Sequence, residues 1–572
     1  MTKRVIGRVV ALLAAGLLTT ALAACESVPR SGPVREGLPS LDQVERSYMF
    51  NPSRPVPGAD QEAIVRGFVR AAASSDRDYE VAREYLAPNY TDQWDPGYGV
   101  LVVEGAQQFQ SLQEGLAVLS LKVVASIDSG GTMTPSEPGG HTEVQFELVK
   151  AGGEWRISSA PTGIILDRPT FTAVWSSRTV YFLSHDGRLV ADPRWFLNRQ
   201  TMTTQIVREL IAGPSEAMSQ VLHTAVPAGT SLTSGSVPVV DGVAVVDLSA
   251  ELLDADEATM SQFTRQLITS LQSLPGVSGY QLKVHGSVID SGSVPVSGDP
   301  TSSEQQSVLV IREGEFGIVS SGSVRKAEGL SERVTQLAPT AVSVSNDRSA
   351  ALVLHADGVS LVRADETVDL DGRRSLLAPS LDPLGYVWLY SPSSPTEITV
   401  VVTDTGEQSH GLSEGDSFTL PLPWLDGLDA AAVRVSTGGN RIAALVENGG
   451  GSAVLVAGIV RDANGVPVAV VDTPVAQLWE SGAPIDLDWY GDTRFATLTQ
   501  TGLLGGSSRV TTGAVGQFSA DAGAVSGGVS IGGGSSSKAQ LRVLDDQHRM
   551  FSPQGSGWQQ TLGDVQLIAK VG

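Results

Sequence analysis

The sequence contains a single cysteine, Cys25, among its 572 residues. One cysteine excludes an intramolecular disulfide, a zinc site built from several thiolates and a dithiol redox pair. Basic residues are also scarce, since 39 Lys and Arg stand against 62 Asp and Glu, for a formal net charge of −23. A nucleic-acid surface needs clustered Lys and Arg, so this balance argues against nucleic acid as a partner.

Long apolar runs are also missing. The run at 9–23 follows a basic segment at 1–8, and its 15 residues are too few to cross a hydrocarbon core of about 30 Å. No later segment reaches the roughly 18 apolar residues that a spanning helix needs. A short apolar run behind positive charges, ending in small residues, is typical of a secretion signal.

The residues Leu22, Ala23, Ala24 and Cys25 at the end of this run resemble the lipobox of bacterial lipoproteins. The resemblance implies cleavage before Cys25, a diacylglyceryl group on its sulfur and an acyl group such as palmitate on its new amine. Two or three acyl chains, at about 0.8 kcal/mol per buried methylene, hold a protein firmly on a membrane. We therefore expect a lipid-anchored protein on the extracytoplasmic face of the cell membrane. The alternative is a stray thiol in an ordinary signal peptide, which the position of Cys25 at the cleavage point disfavours.

The chain after Cys25 changes composition several times. Prolines are frequent up to residue 57 without apolar periodicity, which indicates an extended tether. The fold class expected is multi-domain, with two small α+β domains followed by an all-β propeller. The predicted divisions are a lipoprotein signal peptide at 1–24, the lipidated cysteine and tether at 25–57, an α+β domain at 58–166, a second α+β domain at 168–290 and a propeller-like domain at 305–572.

The first α+β domain is predicted from helical periodicity that begins at Gln61 and from a second short helix at 79–86. Strand-like runs follow at 117–127, 142–149 and 154–157, the last two joined by a Gly-Gly hairpin turn. Helices followed by antiparallel strands are similar to the cone-shaped nuclear-transport-factor-like fold.

The second α+β domain carries several motifs in a fixed order. Strands are expected at 171–175, 179–183, 231–240, 243–248 and 281–284, and helices at 203–211 and 257–274. The segments YFL, DGRLV, IVRELIAGPS, DGVAVVDLS and QLITSLQSLPGVSGYQLKVHG resemble the GerMN domain shared with the germination protein GerM.

The last part of the chain is a succession of short β-runs with a weak repeat. Each repeat is a small-polar turn followed by a strand, and the turns beginning at residues 345, 382, 436 and 489 lie roughly 37 to 54 residues apart. Propeller blades usually repeat about every 40 to 50 residues, which predicts five or six blades. A pair of β-sandwiches is the alternative.

Patterns that suggest catalysis or metal binding have simpler interpretations. Residues 528–532 match the G-x-S-x-G elbow but lie in a Gly/Ser-rich stretch, predicted to be a flexible loop, and 323–326 match S-x-x-K but are predicted to be a turn. The acidic cluster at 251–257 precedes a helix, where acids cap amides and complement the dipole, and 369–372 is expected to be a turn. Seven histidines never pair at helical spacing. We expect no catalytic residue, no metal and no cofactor, and therefore no enzyme.

The whole order of lipobox, tether, α+β domain, GerMN-like domain and propeller resembles the LpqB family of actinobacterial lipoproteins. The resemblance implies an accessory protein of the MtrA–MtrB two-component system, which contacts the extracytoplasmic domain of the sensor histidine kinase and influences cell-envelope and division responses. The alternatives are a cell-wall carbohydrate or peptidoglycan binder and an envelope scaffold. Four tryptophans offer stacking surfaces for the carbohydrate alternative: Trp388, Trp424, Trp479 and Trp489.

Overall fold

The computed structural model describes residues 52–199, 201–289, 308–320, 322–403, 412–502, 506–534 and 540–572, which belong to one compact unit. Cys25 and the lipobox residues Leu22, Ala23 and Ala24 lie outside the described residues, so the lipidation site stays a prediction. Within the described ranges, no helix combines the length and the hydropathy of a membrane span.

The first domain packs two short helices against two sheets. Helix α1 begins after Asp60, whose carboxylate accepts a hydrogen bond from the Ala63 amide at 2.8 Å, and it buries the apolar face of Ile64, Val65 and Phe68. The sheets run in the orders β5-β4-β1-β8 and β2-β3-β6-β7. The elements are α1 Gln61–Ala71, α2 Glu80–Arg83, β1 Gly99–Val103, β2 Gln108–Gln113, β3 Leu116–Leu121, β4 Val123–Asp128, β5 Met133–Pro135, β6 Thr142–Ala151, β7 Glu154–Ser159 and β8 Ile164–Asp167.

Two sequence predictions change here. The single strand-like run at 117–127 is two strands, because β3 pairs with β6 in one sheet and β4 pairs with β1 in the other, with a corner at Lys122. The strand predicted at 171–175 is wrong, since helix α3 covers Arg168–Val174. Asp167 caps this helix by accepting from the Thr170 amide, and a proline in the first turn favours helical backbone.

The second domain has a three-stranded and a four-stranded sheet with two helices over them. Strands β13 and β14 are parallel and are connected through helix α5, which Asp256 caps by accepting from the Thr259 amide at 2.7 Å. This contact agrees with the capping role expected of the acidic cluster. The strand predicted at 231–240 is restricted to its last two residues. The elements are β9 Trp175–Ser184, β10 Leu189–Leu197, α4 Met202–Ala212, β11 Leu222–His223, β12 Val239–Val240, β13 Val243–Leu248, α5 Glu257–Leu271, β14 Gly279–Val284 and β15 Ser287–Val288.

The third domain is a propeller, and its described residues form six sheets of mainly antiparallel strands. The inner strands β40, β19, β23, β27, β32 and β36 contact one another in turn and return to the first. Strand β40 pairs with β16, so the end of the domain completes its first blade. The elements are β16 Leu309–Arg312, β17 Glu315–Ser320, β18 Ser323–Lys326, α6 Ser331–Gln336, β19 Ala341–Val344, β20 Ala351–His355, β21 Gly358–Val362, β22 Thr367–Asp371, β23 Ser380–Leu381, β24 Tyr386–Tyr390, β25 Glu397–Val402, β26 Ser417–Pro421, β27 Ala430–Val435, β28 Arg441–Asn448, β29 Gly451–Arg461, β30 Pro467–Val470, β31 Val475–Glu480, β32 Ala483–Trp489, β33 Arg494–Thr501, β34 Ser507–Ala514, β35 Ala520–Ser526, β36 Gly528–Gly532, β37 Arg542–Asp545, β38 Met550–Gln554, β39 Gly557–Leu562, β40 Val565–Ile568 and β41 Lys570–Val571.

The polar turn at 382–385 owes its sequence to hydrogen bonds that its carboxylate makes with nearby donors. The Asp382 carboxylate accepts from the amides of Leu384 at 2.9 Å and Tyr386 at 3.0 Å, and from the Trp388 indole at 2.9 Å. A short acidic side chain thus satisfies the amides between two strands of a blade.

The fold class predicted from the sequence, two small α+β domains followed by an all-β propeller, is confirmed.

Three segments predicted to be loops or turns are strands. The Gly-rich segment Gly528–Gly532 is the inner strand β36, where a side chain at Gly532 would meet Ile568 of β40, so glycine permits close packing. Ser530 donates to the Asp486 carboxylate at 3.0 Å in a contact between blades, unlike the strand-to-helix elbow of a nucleophile. The segment 323–326 is β18, an edge strand, and 369–371 belongs to β22.

Candidate functional site at the junction of the three domains

Strand β10 is the place where the three domains meet. The Trp195 amide donates to the carbonyl of Gly131 in the first domain at 2.7 Å, and the Trp195 indole donates to the carbonyl of Gly516 in the propeller at 2.8 Å. Gly131 has a φ of +82°, and a Cβ there would clash with the Trp195 carbonyl. Trp195 of the second domain is therefore hydrogen-bonded to both the first domain and the propeller.

Aromatic side chains from three segments surround this bond. Phe171 on α3 lies 4.8 Å from the Trp195 ring and 6.0 Å from the ring of Phe518, which follows β34 in the propeller. The Arg168 guanidinium lies 4.3 Å from the centre of the Phe518 ring. Such contacts add about 0.5–1.5 kcal/mol each beyond the apolar area that they bury.

A buried ion network lies beside Trp195 on the same strand. Arg194 is 2% exposed and bonds to Asp192 at 2.9 Å, to Glu209 on α4 at 3.0 Å and to the Gly130 carbonyl of the first domain at 2.9 Å. Asp192 also accepts from the Ser215 amide at 2.8 Å. Burial raises the pKa of Glu209, while Arg194 opposes that rise. Arg194 and Asp192 are buried and Glu209 lies at the partly exposed edge, so the network fixes the first domain on the second through charges that are largely shielded from water.

Two arginines fix the second domain on the propeller. Arg441 on β28 donates to the Ala191 carbonyl at 2.6 Å and pairs with Asp492 at 3.3 Å, and Arg188 donates to the Gly438 carbonyl at 2.9 Å. The junction encloses a cavity of only about 40 Å³, which has room for water and not for a substrate of ordinary size. The junction therefore holds the three domains together, and we call this set of contacts around Trp195 the joint.

The centre of the propeller holds a second network of buried charges. Arg434 on β27 lies 3.5 Å from Asp488 on β32 and donates to the Gly572 carbonyl at 3.0 Å, while Asp488 accepts from the Gly533 amide at 2.6 Å. Lys570 on β41 donates to the Leu487 carbonyl at 3.0 Å. Burial lowers the pKa of Arg434, and the charge of Asp488 opposes this change. Burial raises the pKa of Asp488, and the charges of Lys570 and Arg434 oppose that change. These side chains link several blades across the axis.

The tryptophans that the sequence offered for carbohydrate stacking are packing residues. Trp388 and Trp489 are 2% and 1% exposed, and their indoles donate to Asp382 and to the Arg434 carbonyl. Trp424 and Trp479 are partly buried against the core between the third and fourth blades. Trp388 and Trp489 therefore present no free aromatic face of the kind that binds a sugar ring.

Among the residues that the structure describes, one pair of histidines lies close together. His185 and His223 stack with ring centres 5.6 Å apart, and burial with the neighbouring His185 lowers the pKa of His223. Across the described residues, no three His, Cys, Asp or Glu side chains are placed to hold a metal ion.

Sequence reasoning missed the junction altogether. The available signal was a charged and aromatic run, Asp192 to Trp195, inside a strand whose neighbours are apolar. A buried charge in such a position needs a partner, but the sequence does not say that the partners lie in other domains.

Three family models match successive parts of the chain. They are described as the N-terminal domain of lipoprotein LpqB, matching residues 54–172, as sporulation and spore germination, matching 179–290, and as the lipoprotein LpqB beta-propeller domain, matching 314–567.

Individual relatives match over most of the chain. The chain is similar to lipoprotein LpqB of Thermobifida fusca, with 27% identity over 86% of this chain and 88% of that protein, and of Streptomyces coelicolor, with 26% identity over 86% of each. Among solved structures, the first GerMN domain of the sporulation protein GerM from Bacillus subtilis is 21% identical and covers 22% of this chain and 94% of that chain, with a TM-score of 0.19.

Proposed function

Because this chain belongs to the LpqB family of lipoproteins, we propose that it is a lipid-anchored, extracytoplasmic protein that binds and modulates the sensor kinase of an MtrA–MtrB-like two-component system. Its lipid is attached at Cys25, its partner is the kinase's extracytoplasmic domain, and its action is non-enzymatic.

The observation that carries this proposal is the joint at Trp195. Hydrogen bonds, aromatic contacts and buried ion pairs hold the three domains as one body. A rigid body presents its outer surfaces in a fixed arrangement, which lowers the entropy cost of binding a partner at several points. The buried charges of the two networks pair with groups inside the protein, so the outer surfaces are available to bind a partner.

Co-purification tests the proposal directly. The chain from residue 26, produced without lipid, is mixed with the purified extracytoplasmic domain of the kinase and analysed by size exclusion, and the lipidated chain is mixed with the full-length kinase in detergent. We expect a stable complex in both experiments and a changed rate of kinase autophosphorylation in the second. Failure to associate in both experiments would rule out the proposed function.

The cell-wall alternative has less support, because two of the four tryptophans that suggested it are buried inside the propeller and the other two are partly buried against its core. Incubation with purified cell wall separates the two functions. Retention of the chain on the wall, without association with the kinase, would favour the alternative.

A further inference from the structure

A cavity of about 330 Å³ lies in the first domain, on the outer side of α1. One wall is a strap of residues 52–59 that precedes α1, and the other is α1 itself. Val56, Ile64 and the Tyr85 ring give the cavity apolar walls, and Arg54 and Arg70 are its charged lining residues. Its volume is at the lower end of the roughly 300–1,000 Å³ typical of small-molecule sites.

The strap is held over α1 by specific contacts. The Tyr85 hydroxyl donates to the Ser53 carbonyl at 2.8 Å, Glu154 accepts from the Gly58 amide at 2.7 Å, and Arg54 pairs with Glu84. On the opposite wall, a Cβ at Gly67 would overlap the Tyr85 ring, so glycine at this position lets the ring lie against the helix. The cavity is thus a built feature of the fold.

The charges around the cavity are unequal. Arg54 is neutralised by Glu84 and Glu80, whereas Arg70, which also lines the cavity, bonds to the Arg66 carbonyl at 3.2 Å. Arg156 is not a lining residue, but it bonds to the Trp155 carbonyl at 2.7 Å and acts on the lining Tyr85: burial raises the pKa of Tyr85, and Arg70 and Arg156 oppose that rise. Neither forms an ion pair with a carboxylate of the described residues, although acids outnumber bases in the chain. The guanidinium of Arg70 on the apolar wall, with that of Arg156 near Tyr85, attracts a ligand that is apolar along its length and anionic at one end.

We propose that this cavity binds a single-chain anionic amphiphile, namely an acyl chain that ends in a carboxylate or a phosphate. The chain lies against Val56, Ile64 and the Tyr85 ring. The acidic group lies at the rim, where Arg70 pairs with it and Arg156 adds positive potential. The volume suits one chain and excludes a two-chain lipid.

Binding to defined amphiphiles tests this site. The chain from residue 26, free of detergent, is titrated by calorimetry with dodecanoate, dodecyl phosphate and dodecyltrimethylammonium. We expect one molecule of either anion to bind, and the cation to bind at least about tenfold more weakly, because its ammonium group cannot accept a hydrogen bond from the Arg70 guanidinium. The stronger of the two anions identifies the acidic group as a free fatty acid or a phosphate head.

Three variants locate the ligand. Arg70→Gln removes an exposed charge and is expected to weaken dodecanoate about tenfold, while Ala63→Phe fills the cavity from an exposed helix position and is expected to abolish binding. Lys122→Gln is the matched control, an exposed base of the same domain outside the cavity, and should leave the affinity unchanged. Thermal unfolding of each variant checks that the domain remains folded.

Three results would overturn the proposal. They are equal affinity for the cation and the anions, unchanged dodecanoate binding by folded Ala63→Phe, and attachment to phosphatidylglycerol vesicles without binding of either single-chain anion. The last result would indicate a membrane contact on the surface. Kinase association is measured separately, so the two proposals succeed or fail independently.

Discussion

Arg194→Met is the substitution that tests the joint most sharply. It removes the guanidinium that pairs with Asp192 and Glu209 and donates to the Gly130 carbonyl, and it leaves two carboxylates without their cation. Removing one partner of a buried ion pair costs about 3–5 kcal/mol. We expect the lower end, about 3 kcal/mol, because the Ser215 amide still bonds to Asp192 and Glu209 can take up a proton.

Urea unfolding followed by tryptophan fluorescence measures this loss. With a slope of about 2 kcal/mol/M, a loss of about 3 kcal/mol lowers the midpoint of the first transition by about 1.5 M. The matched control is Arg208→Met on the same helix as Glu209, an exposed arginine that bonds to the Gly235 carbonyl, and its expected cost is within about 0.5 kcal/mol.

The pH dependence of the Arg194→Met defect has a definite sign. Burial already raises the pKa of Glu209, and loss of the guanidinium raises it further. A carboxyl with a raised folded-state pKa stabilises the fold below its unfolded pKa, and that stability is lost as the pH rises through the folded value. The deficit should therefore be smaller at pH 5 than at pH 8, and adding Asp192→Asn should recover part of it. A midpoint shift below about 0.5 M, or a deficit that grows towards acid pH, would refute the reasoning.

Three further predictions concern other parts of the chain. Cys25→Ser should move the protein from the membrane fraction to the soluble fraction on cell fractionation, and persistence in the membrane would contradict lipid anchoring. Asp382→Ala removes the acceptor for the Trp388 indole and the partner of Arg461, so it should cost about 3 kcal/mol in thermal unfolding, whereas an unchanged melting temperature would show that the turn does not need its carboxylate. Burial raises the pKa of Glu480, so the ionised Glu480 destabilises the fold once the pH rises through that pKa. Glu480→Gln should therefore raise the melting temperature at pH 8 and change it little at pH 4. Equal shifts of the melting temperature at the two pH values would contradict this reasoning.

Local patterns in the sequence predicted the elements that form by themselves. Helix α1 has a cap at Asp60 and a periodic apolar face, and the turn at Asp382 bonds to amides within a few residues of it. The order of two α+β domains and a propeller followed from such signals. They are legible because both partners of each contact lie close together in the chain.

The joint could not be predicted in the same way. Trp195 and Gly516 are separated by 321 residues, so the sequence near either one gives no sign of the other. The glycines of β36 were misleading for a related reason. Glycine usually marks loops because it weakens strands, but the crowded centre of the propeller favours residues without side chains, and that crowding comes from distant blades.

The pairing of β40 with β16 imposes an order of events on the synthesis and folding of this chain. Strand β16 is synthesised long before β40, and until β40 is available the inner edge of the first blade has no hydrogen-bonding neighbour. An open strand edge is a template for pairing with another chain. Strand β40 therefore closes the propeller by completing its first blade. A chain that ends before β40 would be prone to aggregation even when its earlier domains had folded.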